Sequence, residues 1–291
     1  MTATMQYRRL AFFIGLTVFV SLFIGEFIVC HRQTVILKIL ENYYGYFMEQ
    51  PILQPTEISQ YTALPESSSK LISSLCNCSR SIKIMERDPR VFDWCGAESS
   101  MRGKYQKVIT YTLYGNTTDP AIFKRYYSYL NDIAVTAEKE YPGWYIRIYH
   151  NFTEGKDQSK REERAAHDLL CDVYCKFPHV DLCSVPLMVK RIGHGNKHPI
   201  DPALLQGLNP RMLRYLAMLD PDVDIFISRD VDSIIWRREV DAVEEWLRSN
   251  FTFHLMRDHQ SHGSIILAGN AHLQLQLATD EFTKLFRNVG S

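Results

Sequence analysis

The chain has 291 residues, 46% of them hydrophobic, and Lys plus Arg balance Asp plus Glu at 33 each. That apolar content suits a packed globular protein rather than a disordered one. A net charge of zero argues against a nucleic-acid binder, which needs a basic surface.

The N-terminus is a separate object. Arg8 and Arg9 precede an apolar span from Leu10 to Cys30, interrupted by Glu26. It reaches the ~20 residues that cross a bilayer. The expected element is an uncleaved transmembrane signal-anchor over 10–30, behind a cytosolic tail, 1–9. A cleaved signal peptide is the rival, but the apolar stretch is long and no small-x-small site follows it cleanly. Flanking charges (Arg8, Arg9; His31, Arg32, Lys38) leave the orientation open. Glycosylation sequons at Asn77, Asn116, Asn151 and Asn250 place the bulk in the secretory lumen. The expectation is a single-pass type II membrane protein of the Golgi or ER.

Residues 31–103 read as a stem and a cysteine-containing segment. Gln33 to Phe47 can continue as a helix, whereas Pro51, Pro55 and Pro65 break regular structure. Beyond Cys30 stand Cys76, Cys78, Cys95, Cys171, Cys175 and Cys183. An even set after a secretory-type segment reads as up to three disulfides of open connectivity. Zinc is the rival, although the spacing matches no standard zinc knuckle.

A luminal domain is expected over 104–291. Lys107 to Tyr114 is β-branched and aromatic, hence a strand, closed by Gly115-Asn116. Ala121 to Tyr141 reads as one helix, stopped by Pro142-Gly143. Trp144 to Tyr149 is the next strand, followed by a short helix over Arg164 to Val173 and a strand over Val180 to Val185. Asn209 caps a helix that Pro210 opens, and Asp220-Pro221 ends it. Then come a strand over Val223 to Ile227, a helix over Glu239 to Ser249 and a strand over Phe251 to Met256. Strands alternating with helices predict an α/β fold with a mostly parallel sheet flanked by helices.

The most informative residues follow the strand at Val223. Asp230 and Asp232 end an apolar run one residue apart. The C-terminal edge of a strand is where α/β folds bind ligands. Two hard carboxylates there suit Mn2+ or Mg2+ shared with substrate phosphates. A solvated turn is the plainer reading, because Asp favours turns. Arg229 either neutralises a carboxylate or touches substrate. Trp236 and Trp246 read as packing residues, although Trp236 near the pair could stack on a sugar ring.

In order and motif, the stretch from LNPRMLRYLAMLDP through RDVDS to MRDH resembles glycosyltransferases with the GT-A fold. It is more narrowly similar to a group of animal membrane-anchored proteins carrying R-D-x-D-S and M-R-D-H. The likeness covers about Lys104 to Gly269. It implies a GT-A-like, Rossmann-like sheet and transfer of a sugar from a nucleotide-sugar donor to a glycan or glycoprotein acceptor. Asp230 and Asp232 would hold Mn2+ or Mg2+. Tyr114, Gly115, Arg211, Arg214 and Arg229 would lie along the nucleotide-sugar. Asp258 would act on the acceptor hydroxyl as general base, against a plainer reading as a turn residue. The Gly-Gly-x-Trp-Gly-like segment that the resemblance implies is replaced by ILAGNAHLQLQLATDEF, and 59 residues (291 − 232) follow Asp232. A truncated or divergent C-terminal part is therefore expected.

His254 alternates with apolar neighbours and reads as a core histidine or one that supports a ligand from behind; His259 or His262 is a candidate for a further ligand. His194 to His198 lacks phosphate-loop spacing and reads as a surface loop. Two other functions compete. An Asp-nucleophile phosphatase also places Asp-x-Asp after a strand, but near the start of its domain. A luminal binding or scaffold protein would keep the fold without turnover.

Overall fold

The computed structural model describes residues 67–72, 75–84, 92–152, 161–194, 202–249, 251–256 and 270–274. The tail, the anchor span 10–30, the stem up to Glu66, Asp258, His259 and His262 lie outside them, as do residues 195–198. Among the described residues no helix is long and apolar enough to cross a membrane.

A hairpin comes first, β1 (Ser67–Ile72) antiparallel to β2 (Ser79–Ile84). The main sheet follows, built from β3 (Gln106–Thr112), β4 (Tyr145–His150), β5 (Val180–Ser184), β6 (Val223–Arg229), β7 (Phe253–Leu255) and β8 (Asn270–Gln274). Its order is β5-β4-β3-β6-β8-β7. The first four strands are parallel, and β8 and β7 add antiparallel pairs. The chain steps outwards from β3 to β4 to β5, then returns to the other side of β3 for β6. That reversal makes the C-terminal ends of β3 and β6 the topological switch point of the sheet, the place where α/β folds form their ligand crevice.

Alternating side chains of these strands feed two faces. Ile109, Tyr111, Ile146, Ile148 and Ile227 pack under four helices: α2 (Pro120–Tyr127), α3 (Leu130–Glu140), α4 (Arg161–Lys176) and α7 (Arg237–Arg248). On the other face lie α5 (Val185–His194), α6 (Pro202–Gly207) and a 3-10 helix, Pro210–Leu219. Tyr149, Cys183, Met188, Leu205, Leu213 and Leu216 form one cluster there, and Val108, Ala217 and Phe226 another.

The helix expected over Ala121 to Tyr141 is two, α2 and α3. The Ser128 hydroxyl donates back to the Lys124 carbonyl at the break, a side-chain bond that bends helices. The segment after Asn209 winds as 3-10 rather than α. There Arg214 Nε donates to the Arg211 carbonyl (3.0 Å), taking an acceptor that an α-helix would use. Strand β6 runs two residues past Ile227, so Asp230 is the first residue beyond it. The β1–β2 hairpin, the helix Ala97–Met101, α5, α6 and β8 have no counterpart among the expected elements, and His194, expected in a surface loop, is the last residue of α5.

All six cysteines after Cys30 are disulfide-bonded, as Cys76–Cys171, Cys78–Cys175 and Cys95–Cys183. The first two join the turn of the β1–β2 hairpin to one face of α4, where Cys171 and Cys175 are one turn apart. The third joins the segment before α1 (Ala97–Met101) to β5. Arg80 of β2 reinforces the attachment. Its guanidinium donates to the carbonyls of Val180 (2.7 Å), Pro178 (2.6 Å) and Phe177 (3.3 Å). Glu98 pairs with Arg80 (3.3 Å) and Arg102 (3.5 Å), and Arg102 pairs with Asp181 of β5. The cysteine-containing segment is thus fastened to the sheet by covalent and ionic links.

Candidate functional site

The crevice is lined from β3 and β6. Thr110 and Ser228 are the last partners of their ladder. Tyr114 and Asp232 each stand four residues further on, beyond the sheet edge. Gly115 turns the chain there with φ +106°, a conformation L side chains rarely adopt. The turn leads through Asn116 to Asp119, whose carboxylate caps α2 by accepting from Ala121 N at 2.8 Å. Asn116 itself accepts from Thr118 N and Oγ1, closing a local turn.

On the β6 side, the loop 230–236 is held from beneath. Arg229 is buried and pairs with Glu239 in the first turn of α7. Its Nη2 donates to the carbonyls of Ser233 (3.2 Å) and Ile234 (2.8 Å). Val231 and Ile235 are buried in the core. Alternation across this loop turns Asp230 and Asp232 outwards. Arg229 therefore supports the loop from the core side, whereas the carboxylates face the edge.

Each carboxylate meets an arginine from a different element. Arg214 of the 3-10 helix donates to Asp230 Oδ1 at 2.7 Å and to the Arg229 carbonyl at 2.6 Å. Its side chain is 4% exposed, that of Asp230 54%. Arg125 of α2 donates to Asp232 Oδ2 through Nε (2.7 Å) and Nη2 (2.6 Å). Here the arginine is the exposed partner, at 65% against 22% for Asp232. Arg211 Nε donates to Tyr114 Oη at 2.8 Å. Tyr114 and Tyr126 lie with ring centroids 6.0 Å apart, and the Arg125 guanidinium stands 5.3 Å from the Tyr126 centroid. The result is an arc of Arg125, Tyr126, Tyr114 and Arg211, with Arg214 and the two carboxylates along its base.

Of the sequence-derived residues, Tyr114, Arg211, Arg214, Asp230 and Asp232 come together at this edge, and Gly115 makes the turn beside them. Arg229 lies beneath, and Asp258 falls outside the described residues. Arg125 and Tyr126 escaped sequence reading. They lie on a helix whose apolar pattern gave no hint of a site, more than a hundred residues from the acidic pair, and only the strand order brings them there.

The donor set fits a loosely held hard cation. Two carboxylates, each contacted by arginine through one oxygen, match ions that keep waters and share phosphate ligands. Among the described residues no group of three or more His, Cys, Asp or Glu side chains could form a full protein cage. The arginines fit phosphate, because their planar forks pair with it bidentately.

The histidine pair lies further along the sheet. His254 Nδ1 and His272 Nδ1 are 2.8 Å apart across the β7–β8 ladder, against the Trp246 ring. Burial lowers the pKa of both, with neighbouring charge from His254 and Arg229 adding to the effect at His272. With both rings neutral, one Nδ1 donates to the other; His272 is the buried member of the pair and His254 is half-buried.

The chain matches no known family profile, no curated protein and no solved structure.

Proposed function

We propose that the protein is a metal-dependent glycosyltransferase that binds a nucleotide-sugar at the β3–β6 crevice and transfers the sugar to a glycan or glycoprotein acceptor. One observation carries this reading. At the switch point of the parallel part of the sheet, two carboxylates one residue apart in sequence meet arginines from two separate elements. Asp230 and Asp232 are the ligands assigned to Mn2+ or Mg2+, which would stabilise charge growing on the departing diphosphate. Arg214 fixes the Asp230 carboxylate and places positive charge at its base. Arg211 and Tyr114 extend the polar rim on which a nucleotide can lie. Arg229 holds the loop that carries both carboxylates. The three disulfides support a luminal setting, consistent with a type II membrane protein of the Golgi or ER.

Isothermal titration of the full chain with UDP and GDP, with and without Mn2+, tests the site. Metal-dependent binding that Asp230→Ala and Asp232→Ala abolish is expected; absence of binding, or binding that ignores both substitutions, rejects the reading. Donor hydrolysis across a panel of nucleotide-sugars then tests turnover. The engagement of both carboxylates by arginine favours a second reading, a luminal protein that binds nucleoside diphosphates without transfer. Binding with no hydrolysis or transfer on any donor would select it.

A further inference from the structure

Arg125 differs from the other arginines of the crevice in how it is held. Arg214 is buried and spans three acceptors, the carbonyls of Arg211 and Arg229 and the Asp230 carboxylate. Arg211 is tied to Tyr114. Arg125 projects from a short helix with an exposed guanidinium, resting on the Tyr126 ring and reaching one oxygen of Asp232. Exposed ion pairs are weak and exchange partners readily.

Asp232 is also one of the two carboxylates assigned to the cation. A cation and a guanidinium compete for it, and among the described residues the three guanidiniums of Arg125, Arg211 and Arg214 outnumber the two carboxylates. Adding a dication alone would leave a strong excess of positive charge. A pyrophosphate added with it would cancel that excess and offer the displaced guanidinium a bidentate partner.

We propose that Arg125 is a displaceable counter-ion of the crevice, pairing with Asp232 until a divalent cation takes that carboxylate and then pairing with the phosphates of a nucleoside diphosphate. The inference rests on the metal–phosphate reading of Asp230 and Asp232 given above. It makes metal and nucleotide binding mutually reinforcing, each strengthening the other by the same factor.

The test is the sign of two effects in one variant. Mn2+ binding to the full chain is measured alone, by electron paramagnetic resonance of the free ion. GDP and UDP binding is then measured by calorimetry in saturating Mn2+. Arg125→Ala is expected to tighten Mn2+ alone, by up to about fivefold, since a weak exposed competitor is gone. The same variant is expected to weaken diphosphate binding by about tenfold or more, the scale of a charged hydrogen bond. Arg125→Lys keeps the charge without the fork and should fall between Arg125→Ala and wild type in both. A merely structural role would move both affinities the same way. Weaker Mn2+ binding in Arg125→Ala, or unchanged diphosphate binding, overturns the role of Arg125 while the site stands. Failure of the wild-type chain to bind Mn2+ and diphosphate together overturns the site and the inference with it.

Discussion

Arg229 and Glu239 form a buried ion pair that ties the last residue of β6 to the first turn of α7. Between them runs the loop bearing Asp230 and Asp232. Glu239→Gln would leave the Arg229 guanidinium buried without its counter-charge. The expected cost is about 3–5 kcal/mol, the range for breaking one side of a buried pair. Denaturant unfolding of the full chain measures it. A change below about 1 kcal/mol would mean that the pair does not hold the loop.

Asp230 and Asp232 should part company in stability while agreeing in binding. Asp230→Ala removes an acceptor from buried Arg214, with a loss of about 1 kcal/mol. Asp232→Ala frees an exposed arginine and should stay within about 0.5 kcal/mol of wild type. Both should abolish Mn2+-dependent diphosphate binding. Thermal unfolding paired with titration checks this; retained binding in either variant removes that carboxylate from the site.

Stability should fall in acid through His150. Burial lowers its pKa from an ordinary 6.5 to about 3, and its Nδ1 accepts from Phe152 N at 3.1 Å. The unfolded chain takes up a proton below pH 6.5 while the folded imidazole stays neutral. The stabilisation is therefore complete above pH 6.5 and drains away as pH falls towards about 3. Unfolding midpoints across that range should slope less steeply in His150→Gln. An identical slope would place the proton uptake elsewhere.

The disulfides should not contribute equally. Cys76–Cys171 and Cys78–Cys175 join the same two short segments, so either one already closes the loop that the other would close. Replacing one of these pairs by serines should cost little, and replacing both should cost far more than twice as much. Cys95–Cys183 joins a different pair of segments, and its removal should cost about 2–5 kcal/mol. Melting temperatures of single- and double-bridge variants decide this. Additive losses for the first two bridges would contradict the shared-loop argument.

Apolar runs such as those at Val108 and Phe226 made the parallel strands legible, because strands buried on both faces carry few polar residues. Asp230 and Asp232 were legible for the same reason, as an abrupt end to such a run. The cap at Asn209 also followed from local chemistry. Other features depend on tertiary contacts. The split at Ser128 rests on one back-bonded hydroxyl, and the 3-10 winding of Pro210–Leu219 accompanies a side chain taking a backbone acceptor. Disulfide partners depend on which face of α4 meets the hairpin. Arg125 joins the site only because β6 returns beside β3, a pairing that no local pattern encodes.

The contact between Arg80 and the carbonyls around Val180 has a consequence for solubility. Strand β5 is an outer strand of the sheet, and a bare outer strand invites intermolecular pairing. By occupying carbonyls at the start of that strand, the guanidinium blunts the rim against other chains. Loss of the two bridges that anchor the hairpin would loosen this guard, so replacing both by serines should promote aggregation.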